Sequence, residues 1–422
     1  MKTKFIKKLF FKYFFYIFLN NHKFLFKILL YFSFFFFGCF IILLLRIIKR
    51  FIHLRWYVFD ASRIGHLIID TEIYLSLKNK NIQENKFYVD LISFKKPISN
   101  KAVIKIYQKY ILIYPLFIIR LLCDFDRLFI NIFRVTDCHS AYKKRNFKFD
   151  NLDFINSKNP YLKLDDFDLA NCENILKING IDVNRKIIVF IIRDQAYLNH
   201  YFRGNWDYHE YRNYDIDKFE LIFKELIDQG YFVIRMGKKM NKKINIQSNL
   251  FLDYAFCDFK SDILDLYLMS NAYFAVSTLT GLDWISFINN VPIAYLPLQF
   301  GFIPTNRKNI YFLPKIIKKQ SVEQIVDCKE LFLKKYAYFN KKSQFKNSKL
   351  QVMSHNDINI RNFIIEALDL YINKNHFDEI KNHKKFWNLH NKYCIKEYKV
   401  NINSQLPILS KQFRNREDFL ND

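Results

Sequence analysis

The sequence lacks the short motifs that define many enzyme classes. It contains no G-x-S-x-G, no P-loop, no complete G-x-G-x-x-G and no H-E-x-x-H. Its seven cysteines are scattered, odd in number and never spaced C-x-x-C, so free thiols in a reducing compartment are the simple interpretation. The ten histidines show no ligand spacing, and the D-x-D strings at residues 124–126 and 166–168 lie where helical acids are expected anyway. We therefore predict no metal site.

The first 55 residues lack acidic side chains, although they hold eleven Lys or Arg. Residues 28–45 are eighteen residues without a charge, about 27 Å as a helix, which is just enough to span a membrane. Residues 5–19 are aromatic and basic, as in a helix that lies in the interface. We predict a membrane-associated segment, either a single span or a re-entrant hairpin, with a buried core helix as the alternative.

The net charge of +26 would suit a nucleic-acid-binding protein. However, much of the basic excess falls in the apolar N-terminal segment, and no zinc-finger spacing, RNP-like motif or long Lys/Arg run is present. A basic surface that faces a membrane explains this distribution better. We therefore predict a membrane partner and no nucleic-acid partner.

An unbroken apolar run occupies the middle of the chain. Residues 187–192 are all apolar, which is typical of a strand buried on both faces of a parallel sheet, and Arg193 and Asp194 follow it. Strand-like and helix-like segments then alternate as far as Tyr295, with Ser261 as a natural N-cap. This alternation predicts a doubly wound α/β sheet that binds ligands at the carboxyl edge of its strands.

The same patterns divide the chain into four parts. Residues 1–54 form the membrane-associated segment. Residues 55–165 form a first Rossmann-like domain, which opens with a strand, a turn containing Gly65 and a helix. Residues 166–333 form a second Rossmann-like domain, and residues 334–422 a basic helical tail to which no chemistry is assigned.

Polar residues follow several predicted strands of the second domain, where a ligand would lie. Arg193 suits a phosphate because its guanidinium donates bidentate hydrogen bonds and stays charged. Small hydroxyl residues and a glycine between a strand and a helix offer N–H groups to an anion: Ser277, Thr278, Thr280 and Gly281. Further candidates for donor binding are Arg235, Gly237 and Asp262. Ordinary capping or ion pairing is the alternative for each set.

A long loop, residues 195–214, separates Arg193 from the next helix and carries five tyrosines and Trp206. Long loops beside a ligand-binding edge are usually functional. Its aromatic and carboxylate side chains could bind a sugar-like acceptor, or form a small aromatic core instead. In the first domain, Gly65 allows close backbone approach, and His66 could contact a phosphate or an acceptor, or simply be a helix-capping or core histidine.

These stretches occur in a recognisable order: RIGHL at 63–67, IIRD at 191–194 with Tyr197, YRN at 211–213 with Asp215, GYFVIRMG at 230–237, DYA at 253–255, SD at 261–262 with DLYL at 265–268, TLTG at 278–281 and NVP at 290–292. The order resembles that of putative bacterial glycosyltransferases associated with cell-surface polysaccharide synthesis. The resemblance covers about residues 55–320. One position departs from it, because Ile191 stands where the family has a histidine.

The resemblance implies a GT-B-like fold of two Rossmann-like domains, with the nucleotide of the donor held by the second. Arg193 is similar to the HxR arginine of O-fucosyltransferase-like enzymes, which contacts the β-phosphate of the donor. Such enzymes typically work without a bound metal. With the chemistry above, we predict catalytic roles for Arg193, Asp194 and His66. Acceptor-loop roles are predicted for Gly65, Tyr197, Tyr211 and Arg212.

The predicted function is transfer of a sugar from a nucleotide-sugar donor to a lipid-linked or polysaccharide acceptor, without a further cofactor. The predicted location is the cytoplasmic side of a bacterial inner membrane. Two alternatives remain open at this stage. One is a nucleotide-sugar epimerase or hydrolase on the same fold. The other is an inactive membrane-bound carbohydrate-binding scaffold, which the residue at position 191 motivates.

Overall fold

The computed structural model describes residues 24–83, 88–142, 159–202, 204, 206–297, 307–322, 324–374, 380–396, 399–400 and 406–421. The predicted interfacial helix at residues 5–19 lies outside these ranges. The chain divides into two compact units. One comprises Met1–Phe59, Asn81–Lys95 and Leu112–Lys143, and the other Asp60–Lys80, Lys96–Ile111 and Lys144–Asp422.

Helices and strands alternate along most of the described chain. The helices are α1 (Phe24–Ile48), α2 (Ile64–Gln83), α3 (Lys101–Tyr107), α4 (Leu116–Phe133), α5 (Asp166–Ile178), α6 (Ala196–Tyr201), α7 (Glu220–Asp228), α8 (Asp262–Ser270), α9 (Asp283–Ile288), α10 (Cys328–Leu333), α11 (Lys342–Asn347), α12 (Asp357–Ile372), α13 (His383–Tyr393) and α14 (Lys411–Arg414). The strands are β1 (Leu54–Asp60), β2 (Val89–Lys95), β3 (Ile187–Ile191), β4 (Phe232–Arg235), β5 (Phe251–Leu252), β6 (Phe274–Ser277), β7 (Ile293–Tyr295), β8 (Ile310–Phe312), β9 (Ile316–Lys319), β10 (Leu350–Met353) and β11 (Ile408–Leu409).

A parallel sheet of seven strands dominates the second unit. Its order is β11-β8-β7-β6-β3-β4-β5, and every neighbouring pair is parallel. The strand β3 is buried along its whole length, as its unbroken apolar run predicts. The α/β class with a central parallel sheet is therefore confirmed. The other sheets in the described residues have two strands each, so the arrangement of two Rossmann-like domains stays a prediction.

The strand order reverses at β3. From β3 the chain passes outward to β4 and β5, and then returns to form β6 on the other side of β3. In doubly wound sheets the crevice between two such strands is where ligands bind, because the loops that follow them lead away in opposite directions. A ligand-binding site is therefore expected among the residues that follow β3 and β6.

Some element boundaries differ from those expected. The predicted helix from Thr280 begins at Asp283 instead, because the Asp283 carboxylate accepts a hydrogen bond from the Thr280 N–H and holds the preceding residues in a turn. The predicted helix over residues 215–228 opens with a 3-10 turn, Ile216–Phe219. The Ser261 N-cap is as predicted, since its hydroxyl accepts a hydrogen bond from Leu264 N.

The C-terminal residues pack onto the sheet of the second unit. Strand β11 pairs in parallel with β8 and forms one edge of the sheet. Helix α12 buries Phe363 and Ile364, and Arg361 on the same helix forms a two-pronged salt bridge with Glu225 of α7, at 2.5 Å for each contact. The stretch interpreted from the sequence as a basic tail thus supplies both a strand and packed helices.

In the first unit, α1 and α4 pack around a small apolar core that includes Ile42, Trp56 and Phe129. The indole of Trp56 stacks on His139 with ring centroids 4.6 Å apart. The predicted span, residues 28–45, falls within α1. Across the described residues, no helix has the combination of length and apolarity needed to cross a membrane, so the predicted transmembrane helix is not supported. Membrane association stays a prediction.

Within the second unit, Glu72 of α2 is buried and joins three segments. Its Oε1 accepts hydrogen bonds from Leu162 N at 2.7 Å and from the Tyr107 hydroxyl at 3.1 Å, while Oε2 accepts one from Tyr161 N at 3.3 Å. Burial raises the pKa of Glu72 to about 7, and these hydrogen bonds and the charge of Arg307 only partly oppose that shift. The carboxyl group is therefore easier to protonate in the folded protein than in the unfolded chain.

This shift predicts a pH dependence of stability that Glu72→Gln should remove. The unfolded chain releases the Glu72 proton near its ordinary value of 4.5, but the folded protein holds it up to about pH 7. The free energy of unfolding therefore falls as pH rises through this window, by roughly 3 kcal/mol from this group. Urea unfolding at pH 4.5 to 8 should show Glu72→Gln gaining stability on the wild type by about that amount.

The matched control is Glu220→Gln, which changes an exposed glutamate paired with Lys224. Its difference from the wild type should vary much less with pH, since solvent screens an exposed ion pair. A stability difference between Glu72→Gln and the wild type that stays constant from pH 4.5 to 8 would contradict the raised pKa.

Candidate anion-binding site

The loops after β3 and β6 are joined by hydrogen bonds at the switch point of the sheet. Thr278 N donates to the carbonyl of Ile191 at 3.0 Å, and the Thr278 hydroxyl accepts from Arg193 N at 2.8 Å. Thr278 is buried, so its side chain fixes the two loops against each other. The backbone of Arg193 is thereby held at the crevice that the strand order creates.

Three arginines converge at this crevice. The side chain of Arg193 donates through Nε to Asn213 Oδ1 at 3.3 Å, and its Nη2 is buried without a hydrogen-bond partner among the described residues. Arg212 donates through Nη2 to the Leu279 carbonyl at 3.1 Å. The guanidinium of Arg63 lies 5.3 Å from the ring centroids of both Phe202 and Trp206.

The arginines are close enough to affect one another's ionisation. Burial lowers the pKa of Arg193 to about 10, and the charges of Arg212 and Arg63 add to the shift. Burial also lowers the pKa of Arg212, and Arg63 contributes in the same direction. In the described part of the chain none of the three forms a salt bridge with a carboxylate. The charges of Asp194 and Asp283 act on Arg193 and Arg212 from beyond salt-bridge distance and offset only part of their positive charge, so the site keeps an excess of positive charge that would attract an anion.

The turn after β6 is fixed by a buried carboxylate. Asp283 Oδ2 accepts a hydrogen bond from the Ser277 hydroxyl at 2.5 Å and from Thr280 N at 2.8 Å. Burial raises the pKa of Asp283 to about 7. Leu279 adopts a left-handed backbone conformation, with φ of 60°, which non-glycine residues seldom do. Its carbonyl is the acceptor for Arg212, so the unusual turn geometry serves the arginine cluster.

Two glycines bring the start of α2 against this turn. A Cβ atom added to Gly65 would lie 2.8 Å from the Cα of Gly281, and one added to Gly281 would lie 2.8 Å from Gly65 N. Only backbone without a side chain allows such an approach. The contact places Arg63 and His66, on either side of Gly65, beside the turn. The Nδ1 atom of His66 lies 3.4 Å from Oδ2 of Asp70, a buried carboxylate one helical turn further along α2.

Seven of the predicted site residues thus gather at the switch point: Arg193, Arg212, Gly65, His66, Thr278, Thr280 and Gly281. Ser277 lies beneath the turn. Tyr211 precedes Arg212 and packs against Phe345, with ring centroids 5.6 Å apart. Tyr197 packs against Tyr201 at 4.9 Å, within the loop predicted to bind an acceptor.

Other predicted residues are engaged elsewhere in the second unit. Arg235 is 1% exposed; its Nη1 lies 3.1 Å from Asp253 Oδ2 and donates to the Lys242 carbonyl at 2.6 Å. Asp262 accepts hydrogen bonds from Lys101 N at 2.6 Å and from Lys238 Nζ at 3.2 Å. The donor-binding roles of these two residues stay predictions.

Two further predicted residues shape the backbone near these groups. Both carboxylate oxygens of Asp194 accept backbone hydrogen bonds, from Ala196 N at 2.9 Å and from Asn241 N at 2.8 Å. Gly237 ends the segment after β4, and a Cβ there would lie 2.8 Å from the Met240 side chain. The catalytic role of Asp194 and the donor-binding role of Gly237 stay predictions.

The sequence interpretation did not assign Arg63 and Asn213 to the site, although both lie within motifs that it singled out. Arg63 precedes Gly65 by two positions in the turn after β1, and a cation at that place was the available signal. Within the described residues, no group of three or more His, Cys, Asp or Glu side chains could hold a metal ion. Metal independence of the protein's activity stays a prediction.

No family model matches the sequence, and no curated protein matches it. The solved structures that are similar over part of the chain include two glycosyltransferases. One is the ADP-heptose LPS heptosyltransferase II of E. coli, 13% identical, covering 58% of this chain and 84% of that one with a TM-score of 0.34. The other is a glycosyl transferase family 9 protein from Veillonella parvula DSM 2008, 12% identical, covering 58% and 80% with a TM-score of 0.35.

Proposed function

We propose that the protein is a glycosyltransferase that moves a sugar from a nucleoside-diphosphate donor to a glycan or lipid-linked acceptor. One observation carries the proposal. Arg63, Arg193 and Arg212 converge at the switch point of a parallel sheet, and among the described residues none forms a salt bridge with a carboxylate. Clustered guanidinium groups repel one another, so a multiply charged anion such as a diphosphate is the ligand that would stabilise them.

The reaction would use this charge in its transition state. As the bond between the anomeric carbon of the sugar and the β-phosphate oxygen breaks, negative charge develops on the leaving nucleoside diphosphate. Guanidinium groups already fixed at that place stabilise the charge without having to reorganise. Arg193 is held through Asn213 and Arg212 through the Leu279 carbonyl, and guanidinium groups stay protonated in proteins. This is the preorganisation that the leaving group requires.

The acceptor hydroxyl must lose a proton as it attacks the anomeric carbon. His66 is the better placed of the predicted bases, because its Nδ1 faces the buried Asp70 carboxylate and its Nε2 would take the proton. The carboxylate oxygens of Asp194 already accept two backbone hydrogen bonds, from Ala196 N and Asn241 N, and so hold the backbone instead. We therefore assign the role of base to His66, which lies beside the Asp70 carboxylate.

A thermal-shift screen of the full-length chain tests the proposal. UDP-, GDP- and ADP-sugars, together with the free nucleoside diphosphates, should raise the Tm. CMP-sugars, which carry one phosphate, should raise it less. A ligand at 100 times its Kd adds about 2.7 kcal/mol to stability, which such a screen detects readily.

Failure of every nucleoside diphosphate and sugar nucleotide to raise the Tm would contradict the proposal. Incubating the protein with the best donor but no acceptor then separates the enzyme classes. A transferase leaves most of the donor intact, whereas stoichiometric conversion in the absence of an acceptor would indicate an epimerase or a hydrolase instead.

A further inference from the structure

A buried lysine lies behind the arginine cluster. Lys315 follows β8 by three residues and is 3% exposed. Its Nζ donates to the carbonyl of Tyr211 and to the carbonyl of Asn213, each at 2.8 Å, and lies 4.2 Å from the ring centroid of Tyr214. No carboxylate forms a salt bridge with Lys315 in the described residues. Lys315 thus contacts residues 211–214, the segment that carries Arg212 and Asn213 of the site.

The segment that Lys315 fixes controls two of the three arginines. The carbonyls of Tyr211 and Asn213 flank Arg212, so their positions determine where its side chain starts. The side chain of Asn213 in turn accepts the hydrogen bond from Arg193 Nε. One ammonium group therefore positions Arg212 directly through the backbone, and Arg193 through Asn213.

The geometry requires the charged form of the lysine. An ammonium group supplies three N–H donors, two for the carbonyls and one for the face of Tyr214, which attracts a cation. A neutral amine would have to turn its lone pair toward one of these electron-rich groups. It would also lose the charge assistance that roughly doubles the strength of each hydrogen bond. Loss of the proton should therefore loosen the segment.

The surroundings place this protonation near neutrality. Burial lowers the pKa of Lys315 to about 7, and the charge of Lys218 adds to the shift. The other titratable groups nearby are the phenol of Tyr214 and the imidazole of His355. His355 receives a hydrogen bond from Lys218 Nζ through its carbonyl, at 3.2 Å, and its Nε2 is hydrogen-bonded to the Pro314 carbonyl at 2.8 Å. None of these groups is an anion that would hold the lysine charged at higher pH.

We propose that Lys315 is a positioning residue of the arginine site and that binding of a diphosphate there is coupled to protonation of its Nζ. The inference rests on the proposed function, because it takes the arginine cluster to be the diphosphate site. Linkage requires the coupling to be reciprocal: protonated Lys315 favours the anion-binding arrangement, and the bound anion favours protonated Lys315.

Calorimetric titration of the full-length protein with inorganic pyrophosphate tests this coupling. The variants are Lys315→Met, which removes the donor, and Lys315→Arg, which keeps the charge at every pH used. At pH 6.5, Lys315→Met should bind about tenfold or more weakly than the wild type, and Lys315→Arg should recover part of the loss. Lys334→Met, which removes an exposed lysine paired with Glu330, should bind as the wild type does.

The pH profile separates this role from a purely structural one. Between pH 6 and pH 8.5 the wild type should lose affinity relative to Lys315→Arg by up to about tenfold, because only the wild type loses the proton. The titration of pyrophosphate itself cancels in this ratio. Titrations in two buffers of different ionisation enthalpy should show more proton uptake by the wild type than by either Lys315 variant. Lys218→Met should shift the midpoint of the pH profile of affinity to higher pH, because it removes the charge that lowers the pKa of Lys315.

The outcomes distinguish a failure of the role of Lys315 from a failure of the diphosphate site itself. If the wild type binds pyrophosphate and Lys315→Met binds it equally well with the same pH profile, the role of Lys315 is wrong and the arginine site stands. If the wild type does not bind pyrophosphate at all, the diphosphate site and this inference both fall. If neither Lys315 variant folds, an unchanged midpoint in Lys218→Met would still overturn the proton coupling.

Discussion

Replacing Arg193 with alanine should weaken the binding of nucleoside diphosphate about 100-fold and reduce sugar transfer about 1000-fold. The guanidinium occupies a partly buried position with an unpartnered Nη2, so its loss leaves bound phosphate without a charged donor. Truncating one member of a buried charged pair, here the pair of arginine and bound phosphate, costs about 2–5 kcal/mol. The effect on transfer should exceed the effect on binding, because negative charge grows on the leaving group in the transition state.

Two comparisons make the Arg193 experiment specific. Arg193→Lys keeps the charge but loses the bidentate fork, so it should recover only part of the affinity. Arg185→Ala removes an exposed arginine beside Asp182 and should leave binding and transfer unchanged. The Tm of unliganded Arg193→Ala should not drop sharply, since the substitution also relieves repulsion from Arg212 and Arg63. An Arg193→Ala variant with wild-type affinity and transfer would overturn the proposed function.

Replacing Gly281 with alanine should both destabilise the protein and abolish nucleotide binding. The new Cβ would lie 2.8 Å from Gly65 N and 3.0 Å from Gly65 Cα, and backbone atoms cannot move aside as a flexible side chain can. Overpacking of this kind costs about 1–3 kcal/mol. To relieve the clash, the start of α2 must move away from the turn after β6. That movement separates Arg63 and His66 from Arg193, so affinity is lost together with stability.

The control for Gly281→Ala must lose stability without disturbing the site. Gly180→Ala meets this need, because Gly180 has a left-handed φ of 78° with nothing within 4 Å of a Cβ there. Alanine in that conformation costs about 1 kcal/mol and should leave affinity unchanged. Chemical unfolding and nucleotide titration of both variants provide the comparison. Gly281→Ala with normal nucleotide affinity would show that the glycine contact does not position the site.

Local sequence patterns were sufficient for much of the second unit. The unbroken apolar run at residues 187–192 predicts a strand buried on both faces, and β3 is such a strand. Ser261 caps α8 as expected, because the side chain needed for a cap and the N–H groups it satisfies are neighbours in sequence. The position of Arg193 beyond the end of β3 follows from the same run. These features depend on residues close together in the chain.

The register of the sheet gives Arg193 and Arg235 different environments, which the sequence patterns did not distinguish. Both arginines follow apolar runs, so the patterns treat them alike. In the sheet, however, Arg235 pairs with Phe190, inside the strands, whereas Arg193 lies three residues further along. Arg235 is consequently buried against Asp253, while Arg193 reaches the crevice. Pairing between strands is a non-local property, so a single-chain pattern does not contain it.

By itself, the sequence determined the α/β alternation, the buried central strand and the presence of an arginine at its carboxyl end. Only the tertiary structure decided that other cationic side chains lie near this arginine. The strand order places β6 beside β3, the contact between Gly65 and Gly281 brings Arg63 to the same turn, and Lys315 fixes the segment of Arg212. The physical reason is that periodicity records which way each side chain faces, whereas convergence of charges depends on how distant segments pack.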